Sequence, residues 1–310
     1  MLDRTPPKHP LMGGAIVPDL TQLAAGIAFF GAPHGTPYQG IDNRAHEGTA
    51  EAVRSALKGD SAWLDHWDWD LDGPLMAGKN LKVADLGDLH TRPHDGPSNR
   101  AKIEELTRVV LKAGAVPLMV GGDDSVPIPF IQAFDANGPL TILQVDAHID
   151  WRDERLGERF GFSSTMRRAS EMPHVKKIVQ VGARGLGSAR AGEVEAAKTW
   201  GVHFVPARQL HAEGIEVALR LIEPGASVLI TIDCDALDPA IMPAVQAPTP
   251  GGLTYAQLIG LIAGTIAKAK LAGMDIIEFL PAKDLTGEAA YLAGRLMWHT
   301  VGRLARKGTA

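Results

Sequence analysis

Short apolar runs alternate with helix-like stretches along most of this chain, and this alternation restricts its fold more than any other sequence feature. Runs of this kind predict strands that are buried on both faces. They are expected at residues 27–31, 115–120, 141–145, 176–181, 203–205, 227–232 and 274–277. Helical periodicity predicts helices at residues 49–58, 100–113, 193–200, 215–222, 255–267 and 288–306. Strands that alternate with helices indicate an α/β fold, with a parallel sheet covered by helices on both faces.

The domain organisation expected from the sequence is simple. Residues 1–22 are rich in proline and glycine, which predicts an N-terminal arm. No internal repeat or linker divides the rest of the chain, so residues 23–310 are expected to form a single α/β domain.

Composition and charge limit the partners of the protein. The 310 residues are 45% hydrophobic, which is ordinary for a globular protein. A net charge of −5, with both signs spread along the chain, disfavours nucleic acids and acidic membranes. The single cysteine, Cys234, excludes an intrachain disulfide and predicts a reducing compartment. Because neither a signal-peptide pattern nor a long apolar stretch is found, we expect a cytoplasmic protein.

The motif DAHID follows the predicted strand at 141–145. It places Asp146, His148 and Asp150 at alternate positions. In an extended segment alternate side chains point the same way, so three groups that can bind a metal converge. The alternative is that these are three polar residues at a solvated strand end.

Two further acidic motifs end predicted strands. TIDCDALDP (231–239) places Asp233 and Asp235 two positions apart, with Cys234 between them pointing the opposite way into the packing. GGDDS (121–125), with Asp123 and Asp124, is a weaker signal because such turns are common, but it is expected to form a third wall of the site. Sites in such sheets lie at the carboxyl ends of the strands. Clustered carboxylates raise each other's pKa, and bound divalent ions would relieve their repulsion.

Together, GGDDS, DAHID, TIDCDALDPA and the following APTPGGL resemble the motif set of the ureohydrolase family, which includes arginase, agmatinase and guanidinobutyrase. The resemblance extends from about residue 31 to about residue 286. It implies a three-layer αβα fold around a parallel sheet of about eight strands, and a homo-oligomer of three or six subunits. It also implies two bound divalent ions, for which Mn²⁺ is expected and Ni²⁺ or Co²⁺ are alternatives.

The resemblance also implies roles for individual residues. The implied metal ligands are Asp124, Asp146, His148, Asp150, Asp233 and Asp235. Asp146 and Asp233 would bridge the two ions, and Asp150 would also orient the attacking water. Glu278, in IIEFLP at a predicted strand end, would pair with the guanidinium of the substrate. The alternative for Glu278 is an acid at a solvated strand end.

The chain departs from the family pattern at two places. Asp124 stands where the family usually has histidine. Manganese accepts oxygen ligands well, so the site can still bind it. The added negative charge makes a metal-bound water harder to deprotonate and favours a cationic substrate. Phe162, or Ser163 if the alignment shifts by one, stands where the family often has another histidine. Asp150, a water chain, His34 or His46 could then supply the proton for the leaving amine.

The expected activity is metal-dependent hydrolysis of a guanidino or amidine C–N bond in a small cationic substrate, releasing urea or a substituted urea and an amine. Agmatine, a guanidino acid such as guanidinobutyrate, guanidine and a biguanide all remain open. Selectivity is expected in the loop 40–49, where Arg44 could bind a carboxylate; the alternative for Arg44 is a structural or interface arginine. One alternative is a catalytically weakened subunit of a hetero-oligomer with a paralogue. Another is a deacetylase-like hydrolase, which is disfavoured because the chain has no His-His pair.

Overall fold

A computed structural model describes residues 2–38, 40–41, 43–187 and 189–307 of the chain. The strands in these residues are β1 (Arg4–Thr5), β2 (Ala15–Ile16), β3 (Ile27–Ala32), β4 (Val83–Leu89), β5 (Val116–Gly121), β6 (Leu140–Val145), β7 (Val175–Val181), β8 (His203–Val205), β9 (Ser227–Asp233) and β10 (Lys270–Ile277). The helices are α1 (Thr49–Ala56), α2 (Gly96–Lys112), α3 (Pro127–Gln132), α4 (Thr165–Ser170), α5 (Ala191–Trp200), α6 (Ala207–Glu213), α7 (Glu216–Leu219), α8 (Tyr255–Lys268) and α9 (Glu288–Lys307).

All of these strands belong to one sheet. Its main part runs in the order β4-β3-β5-β10-β9-β6-β7-β8, and every neighbouring pair in it is parallel. β1 and β2 pair with β4, antiparallel and parallel respectively. The predicted α/β fold with a parallel sheet of about eight strands is therefore confirmed. β5 and β6 follow each other in the chain but are separated in the sheet by β10 and β9. The strand order therefore reverses direction at the centre of the sheet.

Helices cover both faces of the sheet and create two hydrophobic cores. One core lies under α1, α6, α7, α8 and α9 and the other under α2, α3, α4 and α5. Alternate residues of a strand point into opposite cores: Ile230 and Ile232 of β9 enter the first, and Leu229 enters the second. These three layers confirm the predicted αβα arrangement. Of the helices described here, none carries a segment that combines the length and apolarity needed to span a bilayer.

Each predicted strand and helix has a counterpart in the structure, but several elements are absent from the prediction. β4 is one of them, because Asp85 and Asp88 interrupt its apolar residues. α3 is another, because it begins with Pro127 and Pro129; proline usually breaks helices but is tolerated in the first turn. β10 begins at Lys270 rather than at residue 274, since a bulge at Leu271 and Gly273 interrupts its apolar pattern.

The two acids of β4 belong to a buried ion-pair network. Arg54 of α1 donates to both oxygens of Asp85, at 2.8 and 2.9 Å, and to Asp88 Oδ1 at 2.7 Å. The side chains of Arg54 and Asp85 are fully buried. Asp85 also accepts the backbone N–H of Leu11, at 2.9 Å. One carboxylate thus joins the N-terminal segment, the edge of the sheet and a covering helix.

The described part of the predicted arm lies against β4. It supplies β1 and β2, and Leu11 and Met12 are buried in the first core. The guanidinium of Arg4 also donates to the carbonyl of Leu86 at 2.5 Å. The arm therefore covers the edge of the sheet, while the domain boundary at residue 22 stays a prediction.

We expect Arg54→Met to lower the free energy of unfolding by about 3–5 kcal/mol, because it leaves Asp85 and Asp88 buried without their cation. Urea denaturation measures this change. Lys198→Met is the matched control, because Lys198 pairs with Glu195 at the surface and its loss should change stability by less than about 1 kcal/mol. Equal and small losses in both variants would contradict a structural role for the network.

Candidate metal centre

A cavity of about 220 Å³ lies at the carboxyl ends of the central strands. Its floor is formed by Asp124, His148, Asp150, Asp233, Asp235 and Glu278. These residues follow or end β5, β6, β9 and β10, which are four adjacent strands of the sheet. The cavity therefore lies where the sheet changes direction, the usual position of binding sites in such folds.

The possible ligand atoms form two groups that share one residue. The first group is Asp124, Asp146 and Asp150, and the second is Asp146, His148 and Asp235. Within each group the ligand atoms lie within 4.8 Å of one another. Asp233 belongs to neither group, but it lines the same cavity and accepts the backbone N–H of Asp235 at 2.8 Å. All six predicted ligands therefore lie together, and their assignment to particular ions stays a prediction.

Local hydrogen bonds orient the DAHID segment. Asp146 Oδ1 accepts the backbone N–H of His148 at 2.6 Å, and Asp235 Oδ1 accepts that of Ala147 at 3.3 Å. His148 Nδ1 lies 3.1 Å from Asp235 Oδ2 and 3.5 Å from Asp146 Oδ1. The imidazole thus faces two carboxylates from different strand ends.

Two acids of the floor have left-handed backbone conformations. Asp150 has φ of 42° and Glu278 has φ of 63°, a region that non-glycine residues seldom adopt. Glu278 is held there by its backbone N–H, which donates to Gly122 at 2.9 Å, and by its Oε1, which accepts the N–H of Asp124 at 2.9 Å. Backbone strain of this kind is concentrated at functional sites. The sharp turns aim both carboxyl groups into the cavity.

Burial and mutual repulsion raise the pKa of most acids in the floor. For Asp124, burial is the largest cause, followed by the charges of Asp150 and Asp146. Burial likewise raises the pKa of Asp150, Asp233 and Glu278 well above the ordinary range, with repulsion from neighbouring acids adding to it.

Asp146 and His148 behave differently because they form an ion pair. Burial acts to raise the pKa of Asp146, but hydrogen bonds from His148 and Asp150 outweigh it and lower the pKa. Hydrogen bonds to Asp146 and then to Asp235 raise the pKa of His148 to about 11. Without a metal, the imidazolium is thus paired with the carboxylates of Asp146 and Asp235.

The residues present fit a pair of divalent ions. Asp124 Oδ2 is buried and has no hydrogen-bond partner in the described part of the chain. A buried, unpartnered carboxylate oxygen is costly, and an ion would satisfy it. The donor set of carboxylates and one imidazole suits manganese and similar first-row metals.

Gln144 supports the floor. Its Nε2 donates to Asp146 Oδ2 at 2.6 Å and to Asp150 Oδ2 at 3.0 Å, and its Oε1 accepts from Gln180. The sequence does contain a signal for this role: a polar residue in an apolar strand, two positions before Asp146 and so on the same face. The amide fixes the spacing of two carboxyl groups that repel each other.

Arg184 and Asp123 secure the loops around the cavity. Arg184 Nη2 donates to the carbonyls of Asp235 at 2.6 Å and Thr249 at 2.7 Å. Asp123 accepts the backbone N–H of Thr36 at 2.5 Å and therefore ties the loop after β3 to the turn after β5. Neither role was predicted, because backbone partners leave no pattern in a sequence.

The walls of the cavity include both candidates for the missing histidine position. Phe162 and Ser163 line the cavity, together with Arg155 and Gln246. Of the two histidines that could replace the missing one, His46 lies closer to the floor, with Nε2 3.9 Å from Glu278 Oε2.

His34 is buried, and its Nδ1 lies 3.0 Å from Asn99 Nδ2. Cys234 is buried as expected.

Comparison with known proteins identifies the family. A family model described as "Arginase family" matches residues 25–302. The chain belongs to the arginase family. This arginase-family chain is a hydrolase of the ureohydrolase type, as its sequence motifs predicted.

Three relatives illustrate the breadth of this arginase family. Mitochondrial guanidino acid hydrolase of Homo sapiens is 31% identical over 237 residues, which cover 74% of this chain and 67% of that protein. N(1)-aminopropylagmatine ureohydrolase of Thermus thermophilus is 35% identical over 206 residues, 66% of this chain and 68% of that protein. The structure of proclavaminate amidino hydrolase from Streptomyces clavuligerus shares the fold, with a TM-score of 0.84 over 99% of both chains at 24% identity.

We expect metal affinity to rise with pH from about 6 to 9. The pKa of His148, about 11 in the metal-free protein, means that its imidazole is protonated across this range and must lose that proton to bind an ion. Each proton released should raise the apparent affinity about tenfold per pH unit. Calorimetric titration of MnCl₂ in two buffers with different ionisation enthalpies counts the protons. His148→Gln should release about one proton fewer, and an identical heat in both buffers would contradict the ion pair.

Proposed function

We propose that this arginase-family protein hydrolyses a guanidino or amidine C–N bond with two divalent ions, releasing urea or a substituted urea and an amine. One observation carries the proposal: five aspartates and a histidine from three strand ends share one buried cavity with Glu278. So many buried carboxylates are rarely gathered in this way unless a cation occupies the site.

Each ion would be held by a distinct set of residues. Asp124, Asp146, Asp150 and Asp233 would hold one, and Asp146, His148, Asp233 and Asp235 the other. Mn²⁺ suits this carboxylate-rich set best, with Ni²⁺ and Co²⁺ as alternatives. When bound, the ions supply Lewis acidity, which lowers the pKa of water and stabilises negative charge that develops in the reaction.

The other residues of the floor would orient the substrate and move protons. Glu278 would pair with the planar guanidinium, and the hydrogen bond from the Asp124 N–H fixes its carboxylate in place. Asp150, held by Gln144, would accept a proton from the attacking water. His46, which lies beside Glu278, is better placed than His34 to give a proton to the leaving amine.

A second candidate is a catalytically weakened partner subunit. It is favoured by Asp124 in the metal site and by Phe162 and Ser163 in the wall, where the family pattern leads us to expect histidines. The presence of all the other ligands in one buried cavity argues against it. A trimer or hexamer, formed with itself or with a paralogue, and a cytoplasmic location stay predictions.

Metal content and urea release together test the proposal. The purified chain is loaded with Mn²⁺, Ni²⁺, Co²⁺ or Zn²⁺ in turn and assayed with agmatine, guanidino acids, guanidine and biguanides. We expect two ions per chain and urea from at least one compound. The alternative predicts no urea from the chain alone, whatever its metal content, and activity only after mixing with a paralogue. That result would show that the protein is a partner subunit and would contradict the proposal.

We expect Asp233→Ala and Asp146→Ala to lower both metal affinity and urea release at least about 100-fold, because each carboxylate would bridge both ions. Metal analysis and a colorimetric urea assay measure the two effects. Asp135→Ala is the control, since Asp135 pairs with Arg108 at the surface and should leave both unchanged. Normal metal content and activity in the bridging variants would refute the two-ion assignment.

A further inference from the structure

The cavity has opposite charges on its floor and its wall. The floor is acidic and suits a cationic head group. Among the lining residues in the described part of the chain, Arg155 is the one arginine or lysine, and it belongs to the wall together with Phe162, Ser163 and Gln246. A linear substrate whose guanidinium lies at Glu278 therefore shares this cavity with a permanent positive charge.

A tight turn places Arg155 at this position. The backbone N–H of Arg155 donates to the carbonyl of Glu158 at 3.0 Å, and the reverse bond has the same length. Between them, Leu156 and Gly157 have φ of 53° and 79°, the conformation of a two-residue hairpin turn. Arg155 is thus fixed at the base of a hairpin, while Leu156 at its tip is exposed.

Aromatic rings hold the guanidinium of Arg155. It lies 5.1 Å from the ring centre of Tyr38 and 5.4 Å from that of Phe162, and the two rings are in edge contact with each other. Contacts of this kind stabilise the cation without using its N–H donors. The donors remain for an acceptor in the cavity.

Carboxylates near Arg155 are already engaged elsewhere. Asp153 accepts from Arg159 and Arg168, and Glu158 Oε1 accepts the backbone N–H of Phe160 at 2.7 Å. Among the described residues, no carboxylate oxygen lies within 4.0 Å of a guanidinium nitrogen of Arg155, so Arg155 forms no ion pair there. A half-buried arginine that lines a cavity without an acidic partner is suited to bind an anion from outside.

We propose that Arg155 binds a carboxylate at the tail of the substrate, so that this protein prefers linear guanidino acids to guanidino amines. This inference rests on the proposed function, because the guanidinium must occupy the acidic floor. The acid would be attracted at both ends, whereas the ammonium of agmatine would be repelled by the wall. The same charge argument separates Arg155 from Arg44, which pairs with Glu47 and does not line the cavity.

Kinetics with matched compounds tests the proposal on the Mn²⁺-loaded protein. 4-Guanidinobutanoate, agmatine and butylguanidine have tails of similar length that are anionic, cationic and neutral. We expect the highest kcat/KM for the acid. Arg155→Gln should lower the acid-to-butylguanidine ratio of kcat/KM about 10- to 100-fold, mainly through KM, because one charge-assisted hydrogen-bond pair is lost. Arg155→Lys should recover part of this ratio, and Arg155→Glu should reverse the preference towards agmatine.

The outcomes separate this inference from the proposed function. Arg44→Gln is the matched control and should keep the preference of the wild type; a loss of preference there but not in Arg155→Gln would overturn the role of Arg155. Urea release with equal ratios in wild type and Arg155→Gln would overturn the inference and leave the proposed function intact. If no compound yields urea, the proposed function fails. Calorimetric titration of 4-guanidinobutanoate then still tests the carboxylate site: binding at least tenfold weaker in Arg155→Gln than in the wild type supports the site. Equal Kd values in the two proteins overturn it.

Discussion

Repulsion between buried carboxylates is the constraint on which the rest of this structure depends. Asp124, Asp150, Asp233 and Glu278 all have raised pKa values because each is removed from water and lies near other acids. A fold can keep such groups together only if many other contacts hold them. Here the acids extend from the ends of four adjacent strands, so the hydrogen bonds of the sheet oppose their separation.

Several contacts around the floor offset the repulsion between its carboxylates. Gln144 bridges two acids, Arg184 donates to the carbonyl of Asp235, and backbone N–H groups donate hydrogen bonds to the carboxylates. The strained turns at Asp150 and Glu278 are held by hydrogen bonds, from Gln144 to the carboxylate of Asp150 and from the Glu278 N–H to the carbonyl of Gly122. Arg155 makes the cavity electrostatically asymmetric, because the acidic floor favours a cationic group and Arg155 favours an anionic one.

Much of the site was predictable because acidic motifs follow buried parallel strands, whose carboxyl ends meet at one edge of the sheet. This edge brings Asp146, His148 and Asp150 to Asp233 and Asp235. The expected extended course of DAHID was wrong, because the chain bends at Ala147 and His148 and Asp150 has a left-handed backbone. Contacts that depend on a folded loop were not predictable. Arg155 reaches the cavity through a hairpin turn, so no spacing in the sequence relates it to the acids. β4 was not predicted, because Asp85 and Asp88 make its sequence resemble an exposed segment. In the folded protein Arg54 pairs with both acids and so allows the strand to be buried.

The order of the strands has a consequence for how the protein is made. β9 and β10 fill the gap between β5 and β6, although they come last in the chain. A growing polypeptide that ends before residue 227 therefore has two of the acidic turns but not the strands that bring them side by side. Ions would recognise only the completed sheet, and by mass action they would stabilise it against unfolding. A chelator would act on such a protein as a mild denaturant as well as an inhibitor.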